Sequence, residues 1–323
     1  MERLVKESDA KINSGINSGI NLGSLETEQR NHHTMAIDTL STLEMVQLIN
    51  REDQRVIDAI EAATDQIAAA IDAIVPRLRQ GGRLIYLGAG TSGRLGVLDA
   101  SECLPTFGVG EESVLALIAG GDRALRHPVE AAEDQEDAAV TDLAKIGLSK
   151  KDILCAIASS GRTPYALSAL LYAGSLGAAT ISLACVSESA IGKIADYPIE
   201  VIVGPEVITG STRMKAGSAQ KMVLNMLSTG AMIKLGKVYQ NLMVDLRATN
   251  QKLIERARQM VVAATVIDYE QATELLEAAD YHVKSAIVMA HLAVDYPMAR
   301  QLLAKHQGMV RAVLAEAIAK EME

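Results

Sequence analysis

Glycine, hydroxyl and arginine residues are gathered into three short stretches whose composition suits the binding of a phosphate or a sugar hydroxyl. They read Gly88-Ala89-Gly90-Thr91-Ser92-Gly93-Arg94, Ala158-Ser159-Ser160-Gly161-Arg162-Thr163-Pro164 and Gly210-Ser211-Thr212-Arg213. The first two each follow an apolar run of strand character, Leu84-Ile85-Tyr86-Leu87 and Ile153-Leu154-Cys155-Ala156-Ile157, and each opens a helix-like segment. Small residues let the backbone approach a ligand and hydroxyls donate hydrogen bonds. The first turn of the following helix aims unpaired N–H groups and its positive dipole end at the same point. A helix cap with no ligand explains any one such turn. Three in one domain favour a ligand, with Ser160, Gly161 and Thr163 cradling phosphate and Thr91 and Ser92 holding sugar hydroxyls. Ser211, Thr212 and Lys215 are further candidates, although Lys215 suits a contact with a C-terminal domain or a second subunit equally well.

Carboxylates stand beside these turns. Asp99 and Glu102 share a helix face, and Glu130, Glu133, Asp134 and Asp137 form a second acidic stripe. A solvated face accounts for either stripe, and periodicity does not choose an acid among them. His127 has no recognisable nucleophile or acid partner, and His32-His33 lacks carboxylates or thiols at metal-ligand spacing. No metal-ligand cluster and no cofactor is expected. Met222, Met226 and Met232 read as core filler, and Cys103, Cys155 and Cys185 as packing thiols in a reducing compartment.

Composition narrows the partners. A net charge of -9 and an aromatic share of 3%, with no Trp, disfavour nucleic acid, which needs a basic surface and stacking platforms. A phosphorylated small molecule needs only local donors. No run approaches the roughly 20 apolar residues that span a bilayer, and no signal peptide is evident, so the reading is cytoplasmic with no membrane partner.

The elements that must hold these residues alternate. Residues 1–24 contain an Ile-Asn-Ser-Gly repeat and read as a flexible leader, followed by N-terminal helices over 25–80. Ser41-Thr42-Leu43-Glu44 predicts a capped helix to about 50, and a second helix is expected over 53–79. Then come strand 83–87, helix 93–104, strand 113–119, helix 126–144, strand 153–157, helix 164–176, strands 179–184 and 199–203, and a long helix over 214–235. The strands are continuous apolar runs, as expected when helices cover both sheet faces. This predicts an α/β fold, a doubly wound and mostly parallel sheet, as a ligand-binding domain over 81–240. Its strand carboxyl ends would bring the turns after 84–87 and 153–157 to one crevice. Beyond it, 241–323 reads as a C-terminal helical module, with an arm over 240–265 and helices near 269–279, 281–292, 295–305 and 307–321.

Gly88-Ala89-Gly90-Thr91-Ser92-Gly93 also matches the G-x-G-x-x-G of dinucleotide folds. That fingerprint wants an acid at the end of the next strand. Glu111 and Glu112 precede the strand and Asp122 follows it too late, so the nicotinamide reading is not favoured.

Three strings carry a more specific likeness: Gly88 to Leu95 with Asp99-Ala100-Ser101-Glu102-Cys103, Ala158 to Pro164, and Gly204 to Gly217. With Ser41-Thr42-Leu43-Glu44-Met45 and Asn241-Leu242-Met243-Val244-Asp245, the chain from about Leu25 onward resembles the N-acetylmuramic acid 6-phosphate etherases. These are a branch of the sugar isomerase (SIS) domain proteins, whose relative the glucokinase regulatory protein binds a phosphosugar without transforming it. The resemblance implies an SIS-type, flavodoxin-like three-layer sandwich, a homodimer and a phosphosugar substrate. It implies cleavage of the lactyl ether to N-acetylglucosamine 6-phosphate and D-lactate during cell-wall sugar recovery, with Glu102 as acid and Glu133 as base. Leu104 departs from the proline the family often has there, which bears on the loop beside Glu102.

An unactivated ether resists cleavage because its alkoxide leaves poorly. Opening the sugar ring gives a C1 aldehyde that acidifies the C2 proton, next to the C3 carbon bearing the lactyl oxygen. With the roles that the resemblance implies, Glu133 would remove that proton while protonated Glu102 delivers one to the departing oxygen, a syn elimination to an unsaturated aldehyde. Water activated by Glu102 adds back at C3 and Glu133 returns the proton to C2. Two alternatives stay open: a phosphosugar-binding regulator that needs no acid/base pair, and a phosphosugar isomerase that releases no lactate.

Overall fold

The computed structural model describes residues 26–246 and 250–321; the leader expected over 1–24 lies outside the described residues. Ser41 caps the first helix, α1 (Thr42–Asp53), in the expected capping box: its hydroxyl accepts the Glu44 N–H while the Glu44 carboxylate accepts the Ser41 N–H at 2.9 Å. The single helix expected over 53–79 is instead two, α2 (Arg55–Ala62) and α3 (Thr64–Arg79). The Thr64 hydroxyl donates to the Glu61 carbonyl at the break, offering the backbone an alternative to helical bonding.

Next come β1 (Leu84–Gly88), α4 (Gly90–Phe107), β2 (Val114–Ile118) and the short α5 (Arg123–Arg126). They are followed by α6 (Glu136–Lys145), β3 (Ile153–Ile157), α7 (Pro164–Ser175), β4 (Ala179–Ala184), β5 (Tyr197–Glu200) and α8 (Lys215–Lys234). The five strands form one sheet in the order β2-β1-β3-β4-β5. β3, β4 and β5 run parallel, with Ile153 opposite Ala179 and Ile181 opposite Tyr197. β1, β3 and β4 are buried at every position, which is why their sequences are unbroken apolar runs. The order reverses between β1 and β3, the switch point of a doubly wound α/β fold.

The helix expected over 126–144 is broken. Pro128 removes a donor and pushes His127 into an extended conformation, and Ala131 is left-handed (φ 56°). A 3₁₀ turn over Ala132–Asp134 follows, with Ala132 buried and the turn packed on α7, before α6 begins. The second acidic stripe is therefore not one helical face.

The chain divides into two compact units. One takes residues up to Ala69, Ile85–Gly96 and Ala116–Val223; the other takes Ala70–Leu84, Val97–Leu115 and Leu224 onward. The second unit carries α9 (Gln251–Ala264), α10 (Tyr269–Ala278), α11 (Val283–Leu292), α12 (Tyr296–Lys305) and α13 (Val310–Glu321). Val261, Leu276, Ile287, Leu303 and Val313 build its core. The arm expected to be helical from 240 starts only at Gln251, where the Asn250 side chain accepts the Leu253 N–H. Before it, Tyr239 and Leu242 form a short antiparallel bridge. Among the described residues no helix is long and apolar enough to cross a membrane.

Candidate active site

The turns after β1 and β3 lie side by side at the switch point. A Cβ added to Gly88 would come within 2.9 Å of the Ile157 carbonyl oxygen, so the two strand ends meet only because residue 88 has no side chain. From the first turn, α4 starts at once, and the early N–H groups of Thr91 and Ser92 have no intrahelical acceptor. From the second, Thr163 stands before α7 with Pro164 at its first position, and the Thr163 hydroxyl does not cap the helix. That hydroxyl and the Ser160 hydroxyl are half-buried at the same turn.

Gly161 serves this turn by shape. Its φ is +65°, and a Cβ there would lie 2.4 Å from the Ser189 Cβ. Its N–H is already bonded to the Ala158 carbonyl at 2.9 Å, so what Gly161 contributes to the turn is backbone shape.

Ser92 is buried, and its hydroxyl donates to the Gln220 amide oxygen at 3.0 Å. The Gln220 amide nitrogen donates in turn to the Ser159 hydroxyl at 2.9 Å. Gln220 lies on α8, the helix that follows the third turn, and Gly217 one turn earlier lies so close to Thr91 that an added Cβ would be 3.4 Å from its methyl. The three sequence-identified turns are thus brought together around the start of α8.

Ser211 and Thr212 are half-buried, while Lys215 is fully buried. The Lys215 ammonium donates to the Glu52 carboxylate at 3.0 Å, and Glu52 also accepts from the Asn31 amide at 2.7 Å. Burial pushes the Glu52 carboxyl up, but the bonds from Lys215 and Asn31 and the charges of Lys215 and Arg55 outweigh it and hold it below the usual range. Beside this pair the buried Glu206 carboxylate accepts the N–H groups of Lys215 and Ala216 at 3.0 and 2.9 Å, closing the first turn of α8. Burial holds Glu206 above the usual carboxylate range despite those bonds.

Asp99 and Glu102 separate in the structure although their spacing made them equivalent. Asp99 is buried and accepts from Asn225 at 2.6 Å and Ser228 at 3.1 Å, whereas Glu102 is exposed on the later turns of α4. Glu133 is exposed in the 3₁₀ turn of the first unit. All three cysteines are buried, and burial pushes the thiols of Cys103 and Cys185 up to about 12, so neither is a nucleophile near neutral pH.

Glu52, Glu206, Gln220 and Asn31 escaped the sequence reading. The available signal was position: Gln220 interrupts the apolar face of α8, and Glu52 is the one buried residue of α1.

Comparison with known proteins gives this arrangement a family. A model described as the glucokinase regulatory protein N-terminal SIS domain matches residues 30–174, and an SIS domain model matches residues 128–230. N-acetylmuramic acid 6-phosphate etherase 1 of Enterococcus faecalis is 56% identical over 295 residues, covering 91% of this chain and 98% of its own. The N-acetylmuramic acid 6-phosphate etherase of Glaesserella parasuis is 56% identical over 289 residues, covering 90% and 95%. That of Salmonella agona is 53% identical over 294 residues, covering 91% and 99%. With a switch-point crevice of hydroxyl-bearing turns and this identity across nearly the whole length, the chain belongs to the N-acetylmuramic acid 6-phosphate etherase family of SIS-domain proteins.

Proposed function

We propose that the protein is an enzyme that cleaves the D-lactyl ether of N-acetylmuramic acid 6-phosphate, giving N-acetylglucosamine 6-phosphate and D-lactate. The observation that carries this reading is the 56% identity that spans 98% of a relative bearing that activity in its name. Phosphate binds at the turn after β3 through the hydroxyls of Ser160 and Thr163, on the backbone shape that Gly161 permits. Thr91 contacts the sugar through its hydroxyl and N–H, and Ser92 through its N–H, its hydroxyl being taken by Gln220. Ser211 and Thr212 close the third side, and Lys215 acts from beneath by anchoring that segment to Glu52.

Phosphate anchoring fixes the open-chain aldehyde so that its C2 proton meets a base. Glu133 takes that proton, the C2 electrons form the C2–C3 double bond, and the C3–O bond breaks as Glu102 protonates the lactate oxygen. Water then adds at C3 and a proton returns to C2. Support for Glu102 over Asp99 lies in their surroundings: Asp99 is spent on Asn225 and Ser228, while Glu102 is exposed. Support for Glu133 is its exposure on a turn fixed by the burial of Ala132.

The active species is a cytoplasmic homodimer. Leu43 and Val46, three residues apart on α1, are 67% and 57% exposed, an apolar face suited to a second copy. The functional division is 25–80 helices, 81–240 phosphosugar-binding domain and 241–323 helical module.

The test is incubation of the purified protein with N-acetylmuramic acid 6-phosphate and assay of free D-lactate with a stereospecific dehydrogenase. Lactate release at many turnovers per subunit is expected. A sugar bound and returned unchanged would make the protein a regulator.

A further inference from the structure

The Gln220 side chain joins the turn after β1 to the turn after β3 by a hydrogen bond to each. It does so from α8, the helix that carries the third turn. It is fully buried, with Ser92 Oγ at 3.0 Å on its oxygen and Ser159 Oγ at 2.9 Å on its nitrogen. An amide suits this place because it offers an acceptor and a donor at opposite corners of one rigid plane. A carboxylate would lose the donor to Ser159, and an apolar side chain would leave both serine hydroxyls unsatisfied. The bridge keeps the two serine oxygens within about 8 Å of each other, the reach of two hydrogen bonds across one amide. The Thr91 methyl, resting over Gly217 one turn earlier on α8, packs the first turn against the same helix.

We infer that Gln220 is a positioning residue: its amide sets the spacing between the turn that holds the phosphate and the turn that holds the sugar. This rests on the proposed function, which assigns phosphate to Ser160 and Thr163 and sugar to Thr91 and Ser92. Gln220 does not touch the substrate. A ligand that occupies one turn is indifferent to the bridge, while a ligand that spans both depends on it.

That difference gives the test. Dissociation constants for inorganic phosphate and for N-acetylglucosamine 6-phosphate are measured by calorimetry on wild type, Gln220→Met and Ser159→Ala, with thermal melting of each. Gln220→Met is expected to weaken N-acetylglucosamine 6-phosphate about tenfold, the equivalent of ~1.4 kcal/mol, while leaving inorganic phosphate within about twofold. Ser159→Ala removes one end of the bridge and keeps Gln220 bonded to Ser92. It gives the same selective loss at roughly threefold, so the test stands even where Gln220→Met fails to fold. Loss of both ligands by the same factor, or of neither, in a folded variant overturns the inference alone. Failure of wild type to bind the phosphosugar overturns the functional reading and the inference with it.

Discussion

Each unit of the protein buries a lysine against a carboxylate, yet only one of the two burials lies under a surface fit for a ligand. In the first unit Lys215 is paired with Glu52 beneath a segment whose Ser211 and Thr212 are half-buried, next to turns with further hydroxyls. In the second, Asp245 accepts from Lys284 and from Lys237, each at 2.8 Å, and Lys284 also donates to the Gly236 carbonyl. There the surroundings are helix cores and backbone carbonyls. Paired charges mark scaffolding in both places; the half-buried hydroxyls beside glycine turns, which the proposed function assigns to the substrate, lie next to the first pair. Burial pushes the Asp245 carboxyl up, but the two lysines outweigh it and hold it below its usual range.

The comparison breaks at several points, in order of expected effect. Glu102→Gln should cut kcat for lactate release by about a thousandfold while the melting temperature stays near wild type, because the exposed carboxyl has chemistry to do and little packing. Near wild-type turnover would remove it as the acid. Ser160→Ala combined with Thr163→Ala should lower kcat/KM about a hundredfold, chiefly through KM, since on the proposed function each lost hydroxyl takes a charge-assisted bond from phosphate. Removing a hydroxyl of the second unit, as in Thr273→Ala, should leave both constants alone, because that hydroxyl only donates to the Tyr269 carbonyl within its helix.

Lys215→Met and Lys284→Met sharpen the contrast. Each leaves a buried carboxylate short of its partner and should cost about 3 kcal/mol in urea unfolding. Only Lys215→Met should also change kcat/KM, by about tenfold, because in the proposed function only that pair anchors a substrate-binding segment. Equal kinetic damage from both would erase the distinction between the units.

The smallest effect is in pH. His282 caps α11 by accepting the Ser285 N–H, and burial, with the charge of Arg300, lowers its pKa from 6.5 to about 4. Above pH 6.5 the ring is neutral folded or unfolded, and its contribution is fully present. As pH falls from 6.5 toward 4 the unfolded chain takes up the proton first, so stability declines across that window. His282→Asn keeps a capping side chain without the titration, and its melting temperature should fall less between pH 6.5 and 4 than that of wild type.

Local signals in the sequence located most of the frame. The Ser41 and Glu44 pairing, Pro164 after Thr163, and the apolar runs 153–157 and 179–184 each determine their element from within a few residues. Glycine-rich ends on neighbouring strands were enough to expect a shared crevice. Other features depended on distant partners. Gln220 meets Ser92 across 128 positions of sequence and Lys215 meets Glu52 across 163, so no window of periodicity contains either bond. Asp99 and Glu102 have the same spacing and opposite environments, because Asn225 and Ser228 reach only Asp99. The break between His127 and Glu136 was legible in Pro128, but the acidic period across it suggested one helix, and the left-handed Ala131 has no local signature.

The most direct test of the central claim follows the reaction of N-acetylmuramic acid 6-phosphate in deuterated water by proton NMR, reading free lactate and the sugar C2 proton together. The elimination and hydration route predicts lactate appearing with deuterium at C2 of the N-acetylglucosamine 6-phosphate formed. Lactate released with the C2 proton fully retained would contradict it, since no base would then have acted at C2, and exchange at C2 without lactate would make the protein an isomerase-like catalyst instead.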